Sequence, residues 1–188
     1  MADTKTSIRT YTGRRFDILD PSPNDVHIKD IAHALSLLCR FCGHVRRFYS
    51  VAQHSVLVSN SVSPQHAFWG LLHDASEAYV ADVSRPLKHA PEMSRYRTAE
   101  KHVMAAIAER FGLSMPEPPE VKLVDRRMCA TEMRDLMGAV YDWGAGQEPF
   151  PGEVVPWSPE KAEAEFLQRY YELRFITHMG LTEQKVTL

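Results

Sequence analysis

Apolar and polar positions alternate with a period of two over residues 7–19, Ser-Ile-Arg-Thr-Tyr-Thr-Gly-Arg-Arg-Phe-Asp-Ile-Leu, around Thr12-Gly13. The alternation predicts a small β-hairpin. The turn cluster Asp20-Pro-Ser-Pro-Asn24 closes it. Beyond that point the period lengthens. Ile28, Ile31, Leu35 and Leu38 recur at three- and four-residue spacings and predict a helix of about four turns. Residues 41–49 read as an irregular connection containing Gly43, and a second helix begins near Ala52 and runs to about Asn60.

Ser63-Pro64 is an N-cap followed by a first-turn proline. The helix it opens carries Phe68, Leu71, Leu72, Ala75 and Tyr79 on its buried side, and the segment Asp82-Val-Ser-Arg-Pro86 breaks it. A fourth helix spans residues 94–111 and stops at Gly112. The linker Met115-Pro-Glu-Pro-Pro119 leads to a fifth over residues 121–137, stopped by Gly138. Residues 143–157, rich in Gly and Pro, read as a long surface loop, and Ser158-Pro159 caps a final helix to about Ile176, after which the tail is expected to fray. The expected fold is all-α: one compact helical bundle over residues 1–188, with a hairpin at 7–19, a helical core at about 26–138 and a last helix at about 158–176.

Composition narrows the functional classes. At 188 residues with 44% hydrophobic and 24% charged positions, the chain can bury a substantial single core. A net charge of −2 argues against an extended nucleic-acid surface, so an anionic ligand must meet a local cluster of cations. No apolar run reaches the roughly 18 residues of a membrane helix, and the N-terminus lacks the apolar core of a signal peptide. Three cysteines, an odd number, point to a reduced cytoplasmic protein. Cys39-Arg-Phe-Cys42 lacks both a second pair for zinc and a βαβ context for redox work, so both thiols read as ordinary buried side chains.

The chemistry concentrates in Trp69-Gly-Leu-Leu-His-Asp-Ala-Ser-Glu77. A histidine beside a carboxylate on an apolar helix is costly to bury unless paired or bound to a metal. With His54 upstream and Asp125 downstream, His73 and Asp74 offer two imidazoles and two carboxylates to one divalent cation. Neighbouring helical residues point about 100° apart, so the ion is expected off the helix edge. Glu77 lies one turn on and can orient or deprotonate a water; Asp82 can share that role or receive a substrate hydroxyl. The mixed nitrogen and oxygen donors suit Mn²⁺, Co²⁺, Fe²⁺, Ni²⁺ or Mg²⁺ ahead of Zn²⁺. His27, His33, His89, His102 and His178 read as ordinary surface or core residues.

Arg40, Lys88 and Lys122 are the candidate phosphate cations, weighed evenly against solvated surface charge; Arg46-Arg47 and Arg126-Arg127 read as surface charge or ion-pair partners. Among Phe41, Trp69 and Tyr79, Phe41 is the candidate to stack on a base, because it adjoins Arg40 in a non-periodic stretch.

The ordered set Tyr49-Ser-Val-Ala-Gln-His54-Ser, Leu72-His73-Asp74-Ala-Ser-Glu77-Ala-Tyr-Val-Ala-Asp82, Pro86-Leu-Lys88 and Val121-Lys122-Leu-Val-Asp125 resembles the HD-domain superfamily of metal-dependent phosphohydrolases. The likeness covers most of residues 28–137 and is closest to the branch containing 5′-deoxynucleotidases and phage deoxyadenosine triphosphate triphosphohydrolases. It implies a compact helical bundle, often dimeric. It also implies His54, His73, Asp74 and Asp125 as metal ligands, Glu77 and Asp82 at the water or sugar, and Arg40, Lys88 and Lys122 on phosphate. Ala81 departs from the family, where relatives often place Gly, and a bulkier residue there is expected to shift the backbone at Asp82. The implied activity is attack of a metal-bound water on a nucleotide, with deoxynucleoside 5′-monophosphates expected and deoxynucleoside triphosphates the alternative. A non-catalytic nucleotide-sensing protein is the rival. The implied partner is a small-molecule nucleotide, with no nucleic acid or membrane, on a homo-oligomer.

Overall fold

Capping and apolar spacing account for the helices seen in the computed structural model, which describes residues 6–138 and 147–178. Strands β1 (Ser7–Arg9) and β2 (Arg15–Asp17) pair antiparallel, Ile8 opposite Phe16, as the alternation predicts. Gly13 supplies the positive φ of +81° at the turn. The hairpin docks on helix α1 (Ile28–Leu37): Thr12 donates its amide and hydroxyl to the buried Asp30 carboxylate at 2.6 and 2.9 Å. Phe16, fully buried, stacks on Tyr79 at 3.8 Å.

Helix α2 (Val51–Ser61) is the axle of the fold. Ser50 caps it by accepting from the Gln53 amide at 3.1 Å, and its first six residues, with Val58 and Ser59, are buried. Helix α1, helix α3 (Ala67–Leu72), helix α7 (Pro119–Glu132) and helix α8 (Pro159–His178) pack around it. Helix α6 (Ser94–Phe111), ended by Gly112 at φ +73°, adds Val103, Ile107 and Phe111 to the main core. The all-α architecture with its small hairpin is as expected.

Five local expectations are corrected. The helix expected through residues 63–81 is broken: after α3 the chain tightens at 73–76, and α4 (Glu77–Val80) follows. Ala75, Glu77 and Tyr79 donate three residues back, to Leu72, Asp74 and Ser76, a spacing that the buried positions fit as well as a regular helix. The expected break at 82–86 contains the start of a further helix, α5 (Arg85–His89). Residues 143–146 of the expected surface loop lie outside the described residues. The rest is a strap, not a free surface: Val154 is buried, and Gln53 donates to the Val155 carbonyl and accepts from the Trp157 amide, both at 2.8 Å. Cys39 is half-buried and Cys42 exposed, so the pair is not two buried thiols. The tail beyond residue 178 lies outside the described residues. Helix α7 begins two residues earlier than expected and passes into a π-helical turn (Met133–Met137) before Gly138.

Candidate metal centre

Three helices bring the chemistry together at α2. Gly70 makes the closest approach possible: a Cβ there would stand 2.9 Å from the Ser59 Cα, nearer than side chains tolerate. That contact lays the end of α3 against α2 and sets His73 beside His54. Val121, Val124 and Met128 of α7 pack with Val58 and Trp69, which turns Asp125 toward the same spot.

The distances are short on every side. His54 Nε2 lies 3.2 Å from His73 Nε2, 3.6 Å from Asp74 Oδ2 and 3.2 Å from Asp125 Oδ1. His73 Nε2 lies 3.2 Å from Asp74 Oδ2 and 3.9 Å from Asp125 Oδ1. His54 is fully buried. The donor atoms of His54, His73 and Asp74 form a cluster that could hold a metal ion.

The outer hydrogen bonds fit that use. His73 Nδ1 lies 2.8 Å from the Gly70 carbonyl and His54 Nδ1 lies 2.6 Å from Glu132 Oε1. Carbonyl and carboxylate oxygens only accept, so both Nδ1 atoms carry hydrogen and both Nε2 atoms face the cluster. Burial opposes charge on either imidazole, yet the carboxylates win. Asp74 and then Asp125 push His73 up to about 9, and Glu132 and Asp125 raise His54 against both burial and Arg40. Burial would raise Asp74 and Asp125, but both are held low by the two histidines, with Arg40 adding to the pull on Asp74. The carboxylates thus set up around both imidazoles the negative field that a cation would answer.

Beside the cluster, Glu77 is buried and its Oε2 has no hydrogen-bond partner among the described residues. Burial, then the charges of Asp74 and Asp82, push its carboxyl well above the usual range. Burial also raises the half-buried Asp82, against Arg40. Between them Ala81 sits at φ 68°, ψ 160°, a conformation that glycine takes freely and alanine does not. The chain therefore keeps a glycine-like bend, and the alanine carries strain in it.

The candidate phosphate cations divide. Arg40, buried, places Nη1 3.4 Å from Asp74 Oδ2 and Nε 3.2 Å from Glu132 Oε2. Its neighbour Phe41 is half-buried under the guanidinium, 5.4 Å from the ring centre, in a left-handed turn with Cys42. Lys88 faces Glu77 and Asp74 but is tied to Glu100 at 2.5 Å. Lys122 stays at the rim, its side chain 59% exposed and 3.8 Å from Glu117. Trp69 and Tyr79 are core residues.

Two carboxylates escaped the sequence reading. Glu132 lies seven residues beyond Asp125, two turns along the same buried face, a spacing that could have exposed it. Glu117, whose carboxyl is raised chiefly by burial and feels the charges of His73, Asp74 and Asp125, sits in the proline-rich linker, where no period points to it.

Fold and site together define an all-α protein with a buried His/Asp cluster able to hold a metal. The chain is 39% identical over 172 residues to the uncharacterized protein YfdR of Escherichia coli K12, covering 88% of this chain and 94% of that one. It belongs to the family of YfdR. An uncharacterized protein of Rhodobacter capsulatus is 37% identical over 123 residues, 61% of this chain and 62% of its own length. No family model matches the chain.

Proposed function

We propose that this protein is a metal-dependent phosphohydrolase of the HD type that releases phosphate from deoxynucleoside 5′-monophosphates. The carrying observation is that Asp74 and Asp125 each place a carboxylate oxygen 3.2–3.9 Å from the His54 and His73 Nε2 atoms, which lie 3.2 Å apart. His54, His73 and Asp74 form the tight cluster, and Asp125 joins it as the proposed fourth ligand. A divalent cation held there, such as Mn²⁺ or Co²⁺, would supply Lewis acidity toward a phosphoryl oxygen and acidify a water.

The chain's own groups do the rest. Glu77 and Asp82 orient the attacking water and take its proton. Arg40 faces the phosphoryl oxygens as charge builds on them, with Lys88 behind it. Phe41 offers the face on which a base stacks. The substrate is a free nucleotide rather than a nucleic acid. The protein acts as a homo-oligomer in the cytoplasm, a compartment supported by its odd cysteine count.

Triphosphate cleavage asks for a line of uncommitted cations. Lys88 is engaged by Glu100 and Lys122 stands at the rim, which favours the shorter substrate. The test is incubation of purified protein with nucleoside mono-, di- and triphosphates under added Mn²⁺ or Co²⁺, with the products separated by chromatography. Inorganic phosphate from deoxynucleoside monophosphates is expected. Triphosphate release would establish the longer substrate instead, and no release with any metal would leave the non-catalytic nucleotide-binding reading.

A further inference from the structure

We propose that Glu132 is a positioning residue that sets the metal-binding imidazole and the phosphate-binding guanidinium from one carboxylate. The inference rests on the phosphohydrolase reading of the site. Glu132 ends α7 with no exposed surface, deeper than the candidate ligands Asp74 and Asp125. An isolated carboxylate there would be severely destabilising. It is instead saturated: Oε1 accepts from His54 Nδ1 at 2.6 Å and from the Tyr49 hydroxyl at 2.7 Å, and Oε2 accepts from Arg40 Nε at 3.2 Å.

Each bond has a directional consequence. The bond from Nδ1 fixes the His54 tautomer and ring plane, so Nε2 presents its lone pair to the cluster. The bond from Nε turns the Nη edge of Arg40 toward Asp74, where a phosphoryl oxygen would sit. His54 and Arg40 need opposite things of the site, a cation and an anion, and Glu132 holds both through separate oxygens. Tyr49 keeps the carboxylate from rotating between these bonds.

The experiment titrates Co²⁺ into wild type, Glu132→Gln and Glu132→Ala, following visible absorption, and then titrates inorganic phosphate at saturating Co²⁺. Glu132→Ala is expected to weaken Co²⁺ by about 10–100-fold, the usual cost of losing such an outer partner. Glu132→Gln has a single acceptor oxygen: given to Nδ1–H it should recover part of that loss, but it turns a donor NH₂ toward Arg40 Nε–H, so Arg40 loses its orientation and phosphate stays weakened in both. A purely structural Glu132 would lower thermal stability without separating the two ligands in this way. Unchanged Co²⁺ affinity in Glu132→Ala, or unchanged phosphate affinity in Glu132→Gln, overturns the proposal. Wild type that takes up no Co²⁺ overturns the phosphohydrolase reading itself, a separate outcome.

Should the variants fail to fold, ¹⁵N NMR of Zn²⁺-loaded wild type decides. His54 Nδ1 must be the protonated nitrogen, and a lone-pair signature there is fatal to the assignment.

Discussion

Replacing Ala81 with glycine should stabilise the protein, which is unusual for a change that removes a methyl group. Ala81 holds φ 68° and ψ 160°, in a region where a residue with a Cβ carries on the order of 1–3 kcal/mol of strain. Its side chain is exposed, so no packing is lost with the methyl. Both backbone bonds survive: the Ala81 amide donates to the Glu77 carbonyl at 2.9 Å, and its carbonyl accepts from the Tyr96 hydroxyl at 3.0 Å. Against the relief stands the extra freedom glycine brings to the unfolded chain, roughly 0.4–1 kcal/mol. The net is a gain of about 0.5–2 kcal/mol, or about 1–8 °C in Tm for a domain of this size. Urea and thermal unfolding followed by far-UV circular dichroism measure it. Because the bend before Asp82 already has the glycine conformation, kcat on a deoxynucleoside monophosphate should stay within about twofold. A less stable Ala81→Gly protein would refute the reasoning, since it would mean the methyl makes contacts worth more than the strain.

Other expectations follow from the same geometry. His73→Ala or Asp74→Ala should abolish phosphate release under added Mn²⁺ or Co²⁺; near-normal rates would end the metal reading of the cluster. Glu77→Ala should keep its metal and lose about 10²-fold or more in kcat, the scale of general-base loss. Metal analysis beside kinetics decides, because vanished metal would make Glu77 a ligand. The metal-free protein should weaken with alkali. His73, nearly buried, is raised from an ordinary 6.5 to about 9, so its contribution is full below about pH 6.5 and lost as pH rises through about 9. The loss is at most on the order of 3 kcal/mol. Urea unfolding of chelator-treated protein between pH 6 and pH 10 checks the slope, and a flat profile would contradict it.

Long-range order in this chain was readable where one period served one face. Ile28, Ile31 and Leu35 announce α1, and Val103, Ile107 and Phe111 announce α6, because each set must point at one core. The tight turn at residues 73–76 was not readable, since buried positions 71, 72, 75, 76 and 79 suit a spacing of three or of three and a half. The strap at residues 147–157 was hidden for another reason. Its order comes from side-chain bonds to distant partners, Gln53 above all, and no local period encodes those. The candidate cluster was legible through His73-Asp74 because charge inside an apolar stretch demands a partner. Glu132 passed unnoticed because a lone carboxylate at a helix end looks like surface charge until Asp125, two turns earlier, is known to face inward.

Charge balance explains why a cation is central to the proposed activity. Asp74, Asp125, Glu77, Asp82, Glu117 and Glu132 all lie on or beside the cluster, against Arg40, Lys88 and two imidazoles. Arg40 is already spoken for by Glu132 and Asp74, and Lys88 by Glu100. A phosphate approaching these side chains alone would find the site's cations already committed to carboxylates. A divalent cation held there would take the two histidines as neutral donors and would compensate Asp74 and Asp125, leaving the Nη edge of Arg40 free to face an anion instead of Asp74. Phosphate affinity should therefore rise with metal occupancy and collapse when the metal is chelated, whatever the nucleotide's base. Phosphate binding of equal strength with and without metal would mean that Arg40 and Lys88 suffice, and the cluster would need another explanation.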